Sequence, residues 1–144
     1  MNTVKDILHE KGNQVWSVTP NSIVFDALKL MAEKNIGAVL VMENNKIEGI
    51  LSERDYARKV VLEGKSSREL PVKEIMSSRV LYVTTDKYVD ECMALMIEKK
   101  IRHLPVFEND ILKGIISIGD VVKAVLDHKA FTIEQLEQYI SNRK

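Results

Sequence analysis

The sequence contains the same segment twice, and this internal repeat constrains the fold more than any other feature. Residues 49–55 (GILSERD) return at residues 114–120 as GIISIGD, with Gly, Ile, Ser and Asp at matching places. When the chain is aligned with itself at an offset of 65, no gap is needed from Val15 to Leu126. About 17 of the first 47 pairs are identical, far more than chance gives. The chain is therefore predicted to be two copies of one folding unit.

Each copy of the segment reads as a short strand that runs into a helix. Ser52 and Ser117 take the place of a helix N-cap, and Asp55 and Asp120 occupy the third helical position. One interpretation is structural: a capping box used twice, in which serine and aspartate satisfy free amides of the first turn. The other is functional, because a helix N-terminus attracts phosphate and a nearby carboxylate can accept both hydroxyls of a ribose. The motif alone does not decide between them.

Charge and composition argue against several classes of protein. The chain of 144 residues is 45% hydrophobic, enough to bury a core as one domain or as two small halves. Its 21 basic and 21 acidic residues cancel without a long run of either sign, so neither a large nucleic-acid footprint nor a membrane-binding patch is expected. Met1 begins a polar segment, and no apolar run reaches membrane-spanning length. A soluble, cytoplasmic protein is predicted.

Cysteine and histidine give no sign of a catalytic or metal site. Cys92, the only cysteine, falls on a helical pattern at the position that matches Ala27 in the first copy. It is predicted to be a buried small residue rather than a nucleophile. Without a second cysteine no disulfide can form within the chain, which favours a reducing compartment. His9, His103 and His128 lie on unrelated elements, so neither metal-ligand spacing nor a Cys/His pair is present in the sequence.

The hydrophobic pattern of each copy predicts the order strand, helix, strand, strand, helix. These elements are 15–18, 23–34, 38–42, 47–51 and 55–62 in the first copy, and 80–83, 89–99, 103–107, 111–116 and 120–126 in the second. A single helical turn precedes each copy, and we call these turns (4–8 and 72–76) the leading segments. A half of about 60 residues buries little surface alone. The two sheets are therefore expected to pack together around a pseudo-twofold axis, which would create two matching clefts.

The predicted domains are the first repeat (1–63), a short polar linker (64–71), the second repeat (72–127) and a C-terminal helical tail (128–144). In the tail, Thr132 begins a capping-box pattern ahead of a new helix. Ile133, Leu136 and Ile140 form an apolar stripe at helical spacing. This stripe either packs on its own module or forms a contact between two copies of the chain.

The paired units resemble tandem cystathionine β-synthase (CBS) domains, a combination known as a Bateman module. The likeness rests on the segments IGAVLV and IRHLPV before the two hairpins and on GILSERD and GIISIGD after them, and it covers about Val4 to Asp127. It implies an α+β fold of two pseudo-symmetric β-α-β-β-α repeats packed through their sheets. It also implies a regulatory protein rather than an enzyme, with no required cofactor. Its ligand would be an adenosyl compound such as AMP, ADP, ATP, NAD or S-adenosylmethionine, bound in clefts between the repeats. A homodimer is expected, and any regulated enzyme would be a separate chain.

The resemblance further assigns ligand-binding residues to two clefts, each of which draws on both copies. The first cleft would contain Ile50, Ser52, Asp55, Thr84, Arg102 and His103, and the second Ile115, Ser117, Asp120, Thr19, Gly37 and Ala38. In each cleft the aspartate would bind the ribose hydroxyls, the serine would contact phosphate, and the isoleucine would lie on the adenine side.

The two clefts are predicted to differ in charge. Arg102 and His103 supply charge and donors that Gly37 and Ala38 lack, so the first cleft is expected to prefer a multiply charged phosphate. Hydrogen bonds that involve an ionised group contribute about 1.5 to 3 kcal/mol each. Their loss corresponds to about ten- to a hundredfold in affinity.

The three basic residues near the first cleft also have structural explanations. Arg54, whose counterpart in the second copy is a glycine, either reaches a phosphate or is a solvated helix residue paired with Glu53 or Glu63. Arg102 is either a phosphate contact or a surface cation. His103 is either a phosphate contact or a histidine at the edge of the core, bonded to a backbone carbonyl.

A second class of function remains open, namely a protein-interaction module that needs no small ligand. Such a module would dock on an enzyme through an exposed face and through the helix predicted at 132–142. The two functions can coexist, with nucleotide occupancy tuning the protein contact. If interaction were the whole function, both Ser/Asp pairs could be replaced without affecting partner binding.

Overall fold

The computed structural model describes residues 2–141, which form an α+β fold with two three-stranded sheets. The strands are β1 (Ser17–Val18), β2 (Ala38–Glu43), β3 (Lys46–Ser52), β4 (Val83–Thr84), β5 (His103–Glu108) and β6 (Ile111–Ser117). The helices are α1 (Val4–Lys11), α2 (Val24–Lys34), α3 (Glu53–Tyr56), α4 (Val89–Lys99) and α5 (Ile118–Ser141). A π-helical turn (Ala57–Val61) continues α3, and a 3₁₀ turn (Val72–Glu74) precedes β4. The predicted order of elements is confirmed in both copies.

The chain divides into two compact units with the same topology. The first-repeat unit comprises residues 15–80, and the second-repeat unit comprises the residues before 15 together with those from 81 onward. In each unit the first strand pairs parallel with the second, and the second pairs antiparallel with the third. Parallel neighbours need a crossover connection, which α2 provides in one unit and α4 in the other.

Tight hairpins join β2 to β3 and β5 to β6. Asn44 and Asn45 have φ values of 52° and 63°, and Asn109 and Asp110 have the same two values. Two successive central residues with positive φ are typical of the type I′ turn, in which Asn and Asp are tolerated better than other residues with a side chain. These turns hold the register that places the start of one strand beside the end of the next.

The leading segment of each copy packs in the unit built around the other copy. A Cβ on Gly114 of β6 would lie 2.8 Å from the Cδ2 atom of Leu8 in α1. A Cβ on Gly49 of β3 would lie 2.7 Å from the Sδ atom of Met76 and 2.8 Å from the carbonyl oxygen of Ser77. The close approach of the leading segments explains why glycine stands at both places in a strand. The compact units therefore place these segments differently from the domain boundaries drawn along the sequence.

Each unit has its own apolar core. The buried members are Val24, Ala27, Met31, Val39, Val41, Leu51, Val60, Val72 and Ile75 in the first-repeat unit, and Val4, Ile7, Leu8, Val83, Val89, Cys92, Met96, Leu104, Val106, Ile116 and Val121 in the second-repeat unit. Cys92 is buried as predicted. Burial raises the pKa of its thiol to about 11, so the thiolate that a nucleophile requires is scarce at neutral pH.

The C-terminal part of the chain differs from its prediction. The helix predicted at 120–126 begins at Ile118 and continues without a break to Ser141. The predicted capping box at Thr132 is therefore wrong, since Thr132 lies inside α5 and its hydroxyl donates to the carbonyl of His128 at 3.0 Å. Of the two alternatives for the tail stripe, packing on its own module is not observed, because Ile133, Leu136 and Ile140 are exposed. Residues 142–144 of the predicted tail lie outside the described residues.

The second helix of the first copy, predicted at 55–62, begins two residues earlier at Glu53 and passes into the π-helical turn at Ala57.

Within residues 2–141 no helix combines the length and the apolar character that crossing a bilayer requires.

Candidate functional site

Both Ser–Asp pairs form the predicted capping box. The amide of Asp55 donates to the hydroxyl of Ser52 at 3.1 Å, and the amide of Ser52 donates to the carboxylate of Asp55 at 2.9 Å. For Asp120 and Ser117 the corresponding distances are 3.1 and 2.8 Å. Since β3 and β6 end at these serines, the strands deliver both pairs directly to the first turn of α3 and α5. The structural interpretation of the motif is confirmed. We call residues 50–55 the Asp55 corner and residues 115–120 the Asp120 corner.

A lysine ammonium lies beside each of the two carboxylates. Lys59 Nζ is 3.2 Å from Asp55 Oδ1, one turn further along the same helical segment. Lys11 Nζ is 2.6 Å from Asp120 Oδ2. Burial acts to raise the pKa of Asp120, but hydrogen bonds from Lys11 and Ser117 outweigh burial and hold that pKa below its usual value. Asp120 is therefore ionised at neutral pH.

The two lysines make different second contacts. Lys11 Nζ also donates to the carbonyl of Ile115 at 2.8 Å. The equivalent Ile50 exchanges two backbone hydrogen bonds with Ser77, at 3.0 and 2.9 Å. Lys59 donates instead to the carbonyl of Ile75, at 3.0 Å. At the Asp120 corner, one ammonium thus binds both the isoleucine carbonyl and the carboxylate, whereas at the Asp55 corner separate groups bind them.

Lys11 was not among the predicted site residues, because the first leading segment was expected to be a single helical turn that ends before it. The first copy has three more residues than the second between its leading segment and its first strand. The segment forms the eight-residue helix α1, which ends at Lys11 with Gly12 following at φ 98°. The second leading segment contains only a three-residue 3₁₀ turn, Val72–Glu74. The difference in length was the available signal, since a longer helix carries a side chain as far as the Asp120 corner.

His103 begins β5 and pairs with Ser117 in the β-ladder. Burial lowers the pKa of His103 to about 4, and the positive charges of Lys11 and Arg102 act in the same direction, against the opposing effect of Asp120. The imidazole is therefore neutral at physiological pH, which corrects the prediction that His103 supplies charge. It retains one ring N–H as a donor.

Arg102 and Gly37 occupy equivalent places just before β5 and β2. The carbonyl of Arg102 accepts a hydrogen bond from the amide of Ile118 at 2.8 Å, and the carbonyl of Gly37 accepts one from the amide of Glu53 at 3.0 Å. Each residue is thus tied to the corner of its own unit. Arg102 is exposed, while Ala38, which follows Gly37, is buried.

The two threonines assigned to the clefts take part in local turns. The hydroxyl of Thr19 lies 2.9 Å from that of Ser22, and the amide of Thr19 donates to the same Ser22 oxygen at 3.0 Å. The hydroxyl of Thr84 donates to the carboxylate of Asp86. Both threonines are exposed at the surface, just before α2 and α4.

Arg54 is exposed and forms no ion pair with any of residues 2–141, so of its two alternatives the pairing with Glu53 or Glu63 is not observed. Glu63 pairs with Lys65 instead, at 3.2 Å. At the counterpart of Arg54, a Cβ on Gly119 would meet only the Ser117 hydroxyl, at 3.6 Å. The Asp120 corner is therefore open where the Asp55 corner carries a guanidinium.

The candidate residues divide between the units. The first-repeat unit contains Thr19, Gly37, Ala38, Ile50, Ser52, Arg54 and Asp55, and the second-repeat unit contains Thr84, Arg102, His103, Ile115, Ser117 and Asp120. Strand pairing brings His103 beside Ser117 and Ala38 beside Ser52. The grouping of Arg102 and His103 with Asp55, which the resemblance implied, joins residues of different units and stays a prediction. Across residues 2–141 no three His, Cys, Asp or Glu side chains are grouped so as to hold a metal ion.

Comparison with known proteins defines the class to which this fold and these corners belong. The model of the CBS domain family matches residues 3–62 and 72–127. The chain belongs to the CBS-domain family and contains two copies of the domain. Proteins built from a pair of CBS domains are generally regulatory or signal-transduction modules.

Three similar proteins illustrate the range of this family. One solved structure is that of a CBS-domain protein from Burkholderia ambifaria MC40-6 for which a role in signal transduction has been suggested. It is 52% identical to this chain and has a TM-score of 0.84. The match covers 88% of this chain and 95% of that one. The mitochondrial CBS domain-containing protein CBSX3 of Arabidopsis thaliana is 36% identical over 96% of this chain and 71% of its own length. The CBS domain-containing protein YhcV of Bacillus subtilis (strain 168) is 32% identical over 84% of each chain.

Proposed function

We propose that this protein is a sensor of adenosyl ligands such as AMP, ADP, ATP, NAD or S-adenosylmethionine, and that ligand occupancy modulates a partner protein. Membership of the CBS-domain family supports a regulatory function. The pairing of a carboxylate with an ammonium at both the Asp55 and the Asp120 corner is the observation that carries the ligand class.

The chemistry of each corner suits a nucleoside phosphate. An ionised carboxylate accepts the two hydroxyls of a ribose, and the adjoining ammonium forms charge-assisted hydrogen bonds with phosphate oxygens. The first turn of α5, in which Gly119 is exposed, adds the partial positive charge of a helix N-terminus. Capping keeps each carboxylate in place, so the ligand meets a group that is already oriented.

The contact of Lys11 with the Asp120 corner can couple ligand binding to the position of α1. A ribose at Asp120 competes with Lys11 for the same carboxylate oxygen. Occupancy therefore changes how α1 is anchored, and a partner that distinguishes the two states binds them with different affinity. The coupling free energy in such systems is about 1 to 3 kcal/mol.

Calorimetric titration of the nucleotide-stripped protein with each of the five ligands tests the proposal. Asp55→Asn and Asp120→Asn should each remove one class of site, because asparagine retains an acceptor for capping but loses the charge. Asp6→Asn is the matched control, since Asp6 accepts from the amide of Thr3 at 2.9 Å in another capping box, and its carboxylate forms no ion pair within residues 2–141. Absence of binding to every ligand, or equal loss in all three variants, would reject an adenosyl sensor.

The grouping of Arg102 with Asp55 is tested separately. In an Asp120→Asn background only the Asp55 corner remains, and Arg102→Gln should there lower ATP affinity. In an Asp55→Asn background the same change should have little effect. The reverse pattern would assign Arg102 to the corner of its own unit, to which its backbone is tied.

A ligand-independent interaction module is the second candidate function, and the exposed apolar side chains of α5 favour it. If this were the whole function, a partner isolated with the wild-type protein should bind the Asp55→Asn/Asp120→Asn double variant with unchanged affinity, with and without nucleotide. A nucleotide-dependent affinity that the double variant loses would establish the sensor.

A further inference from the structure

Helix α5 carries an apolar stripe that no part of residues 2–141 covers. The stripe consists of Val122, Leu126, Lys129, Ile133, Leu136 and Ile140, which follow one another at alternating spacings of four and three residues. Its apolar members are 41%, 60%, 56%, 56% and 67% exposed, in chain order. The face of α5 that contacts the core of its unit is a different one, formed by Val121 with the partly buried Ala124 and Val125.

Alternating spacings of three and four residues are typical of the seam of a coiled coil, in which two helices interlock their side chains. From Val122 to Ile140 the stripe is about 27 Å long at 1.5 Å per residue. Helices of this length are seldom stable with one apolar side in water, and most of their stability comes from packing of that side. We therefore expect a second helix to pack against the stripe.

We propose that the α5 stripe pairs with the α5 stripe of a second copy of this chain, in antiparallel orientation. The register places Val122 opposite Ile140 of the second copy, Leu126 opposite Leu136, and Lys129 opposite Ile133. The same contacts repeat on the other side of the twofold axis, so that one surface is complementary to itself.

Charge decides the orientation. In the antiparallel register, Lys123 of one copy adjoins Glu137 of the other, which gives two opposite-charge pairs that flank the seam. Lys123 Nζ already forms an ion pair with Glu10 at 2.7 Å. Because its side chain is 64% exposed and an ammonium has three donors, Lys123 can also pair with Glu137 of the other copy. In a parallel pair, Lys129 would face Lys129, while Lys123 and Glu137 would each lie beside an uncharged residue.

Sedimentation velocity over a wide range of protein concentration tests the pairing. The wild-type protein should form dimers, and Leu136→Glu should weaken them about tenfold or more, because it places a charge in the middle of the seam. Phe131→Glu is the matched control: Phe131 is equally exposed on α5 but lies off the stripe, so its loss should leave the dimer unchanged. Circular dichroism confirms that both variants fold. A wild-type monomer at all concentrations, or a dimer that Leu136→Glu does not weaken, would overturn the proposal.

Disulfide crosslinking tests the orientation. When Leu126→Cys and Leu136→Cys variants are mixed and oxidised, crosslinks should join one variant to the other, while each variant alone should remain uncrosslinked. Cys92 does not interfere, because it is fully buried. Charge reversal gives an independent reading: Glu137→Lys should weaken the dimer, and adding Lys123→Glu should restore it. Crosslinks within each variant alone would show a parallel pair and overturn the antiparallel register.

Discussion

The ammonium of Lys11 lies 2.6 Å from the carboxylate of Asp120, although the two residues are 109 positions apart in the sequence. The contact joins the leading segment of the first copy to the helix start of the second. Its partner at the other corner, Lys59 with Asp55, is a local pair four residues apart. Both repeats thus pair the aspartate with a lysine. At Asp55 the lysine belongs to the adjoining helical turn, whereas at Asp120 it belongs to the separate helix α1.

Replacement of Lys11 should distinguish a phosphate contact from a purely structural one. In an Asp55→Asn background, Lys11→Gln should lower ATP affinity about tenfold, as expected for loss of one charge-assisted hydrogen bond. Adenosine, which has no phosphate, should bind at least as well as before, since Lys11 no longer competes for Asp120. Lys5→Gln, on the same helix and exposed, is the control. An equal loss for both ligands, measured by calorimetry, would show that Lys11 acts only on the fold.

The two strand glycines should differ in their tolerance of alanine. At Gly49 the new methyl group meets a backbone carbonyl at 2.8 Å, so we expect unfolding free energy to fall by about 2 to 3 kcal/mol. At Gly114 it meets the end of the flexible Leu8 side chain, and a loss of about 1 kcal/mol is expected. Gly119→Ala, which meets only one atom at 3.6 Å, should be nearly neutral. Urea denaturation measures all three, and equal losses at Gly49 and Gly114 would contradict this account.

His103 should make the protein less stable in mild acid. Its pKa is about 4 when folded and about 6.5 when unfolded, so between these values the unfolded chain binds more protons. Stability should therefore fall as pH decreases from about 6.5 to about 4, by about 1 to 3 kcal/mol for this group. The lowered pKa of Asp120 adds a loss at still lower pH. His103→Gln should flatten the curve of unfolding free energy against pH in this window, whereas His128→Gln, exposed on α5, should not.

Cys92 should be inert in the folded protein. Its thiol is fully buried and its pKa is raised to about 11, so both access and thiolate are lacking. Iodoacetamide at neutral pH should leave the native protein unmodified and should alkylate it fully in denaturant, as followed by mass spectrometry. Rapid alkylation under native conditions would show that the core around α4 opens easily.

The fold was predictable from the sequence because the repeat gave two independent observations of one pattern. The strand and helix order, the hairpin turns at Asn44 and Asn109, and the capping by Ser52 and Ser117 all depend on interactions a few residues apart. Local chemistry of this kind is visible in the sequence.

The features that the sequence did not reveal depend on contacts between residues far apart in the chain or on the burial of a titratable group. The exchange of leading segments and the contact of Lys11 with Asp120 arise from packing between residues far apart in the chain. The neutrality of His103 follows from burial, which charge counting does not capture. The capping box at Thr132 was a wrong prediction because a favourable local pattern was overruled by a helix that continues from Ile118.

The most direct test of the central claim is to locate the ligand by ¹H–¹⁵N correlation spectra of the labelled protein, titrated with the adenosyl ligand that binds best in calorimetry. The largest amide shifts should fall in residues 50–55 and 115–120, and Lys11 should respond with the second group. Shifts confined to other parts of the chain, with both corners unchanged at saturation, would contradict the assignment of these corners as the ligand sites.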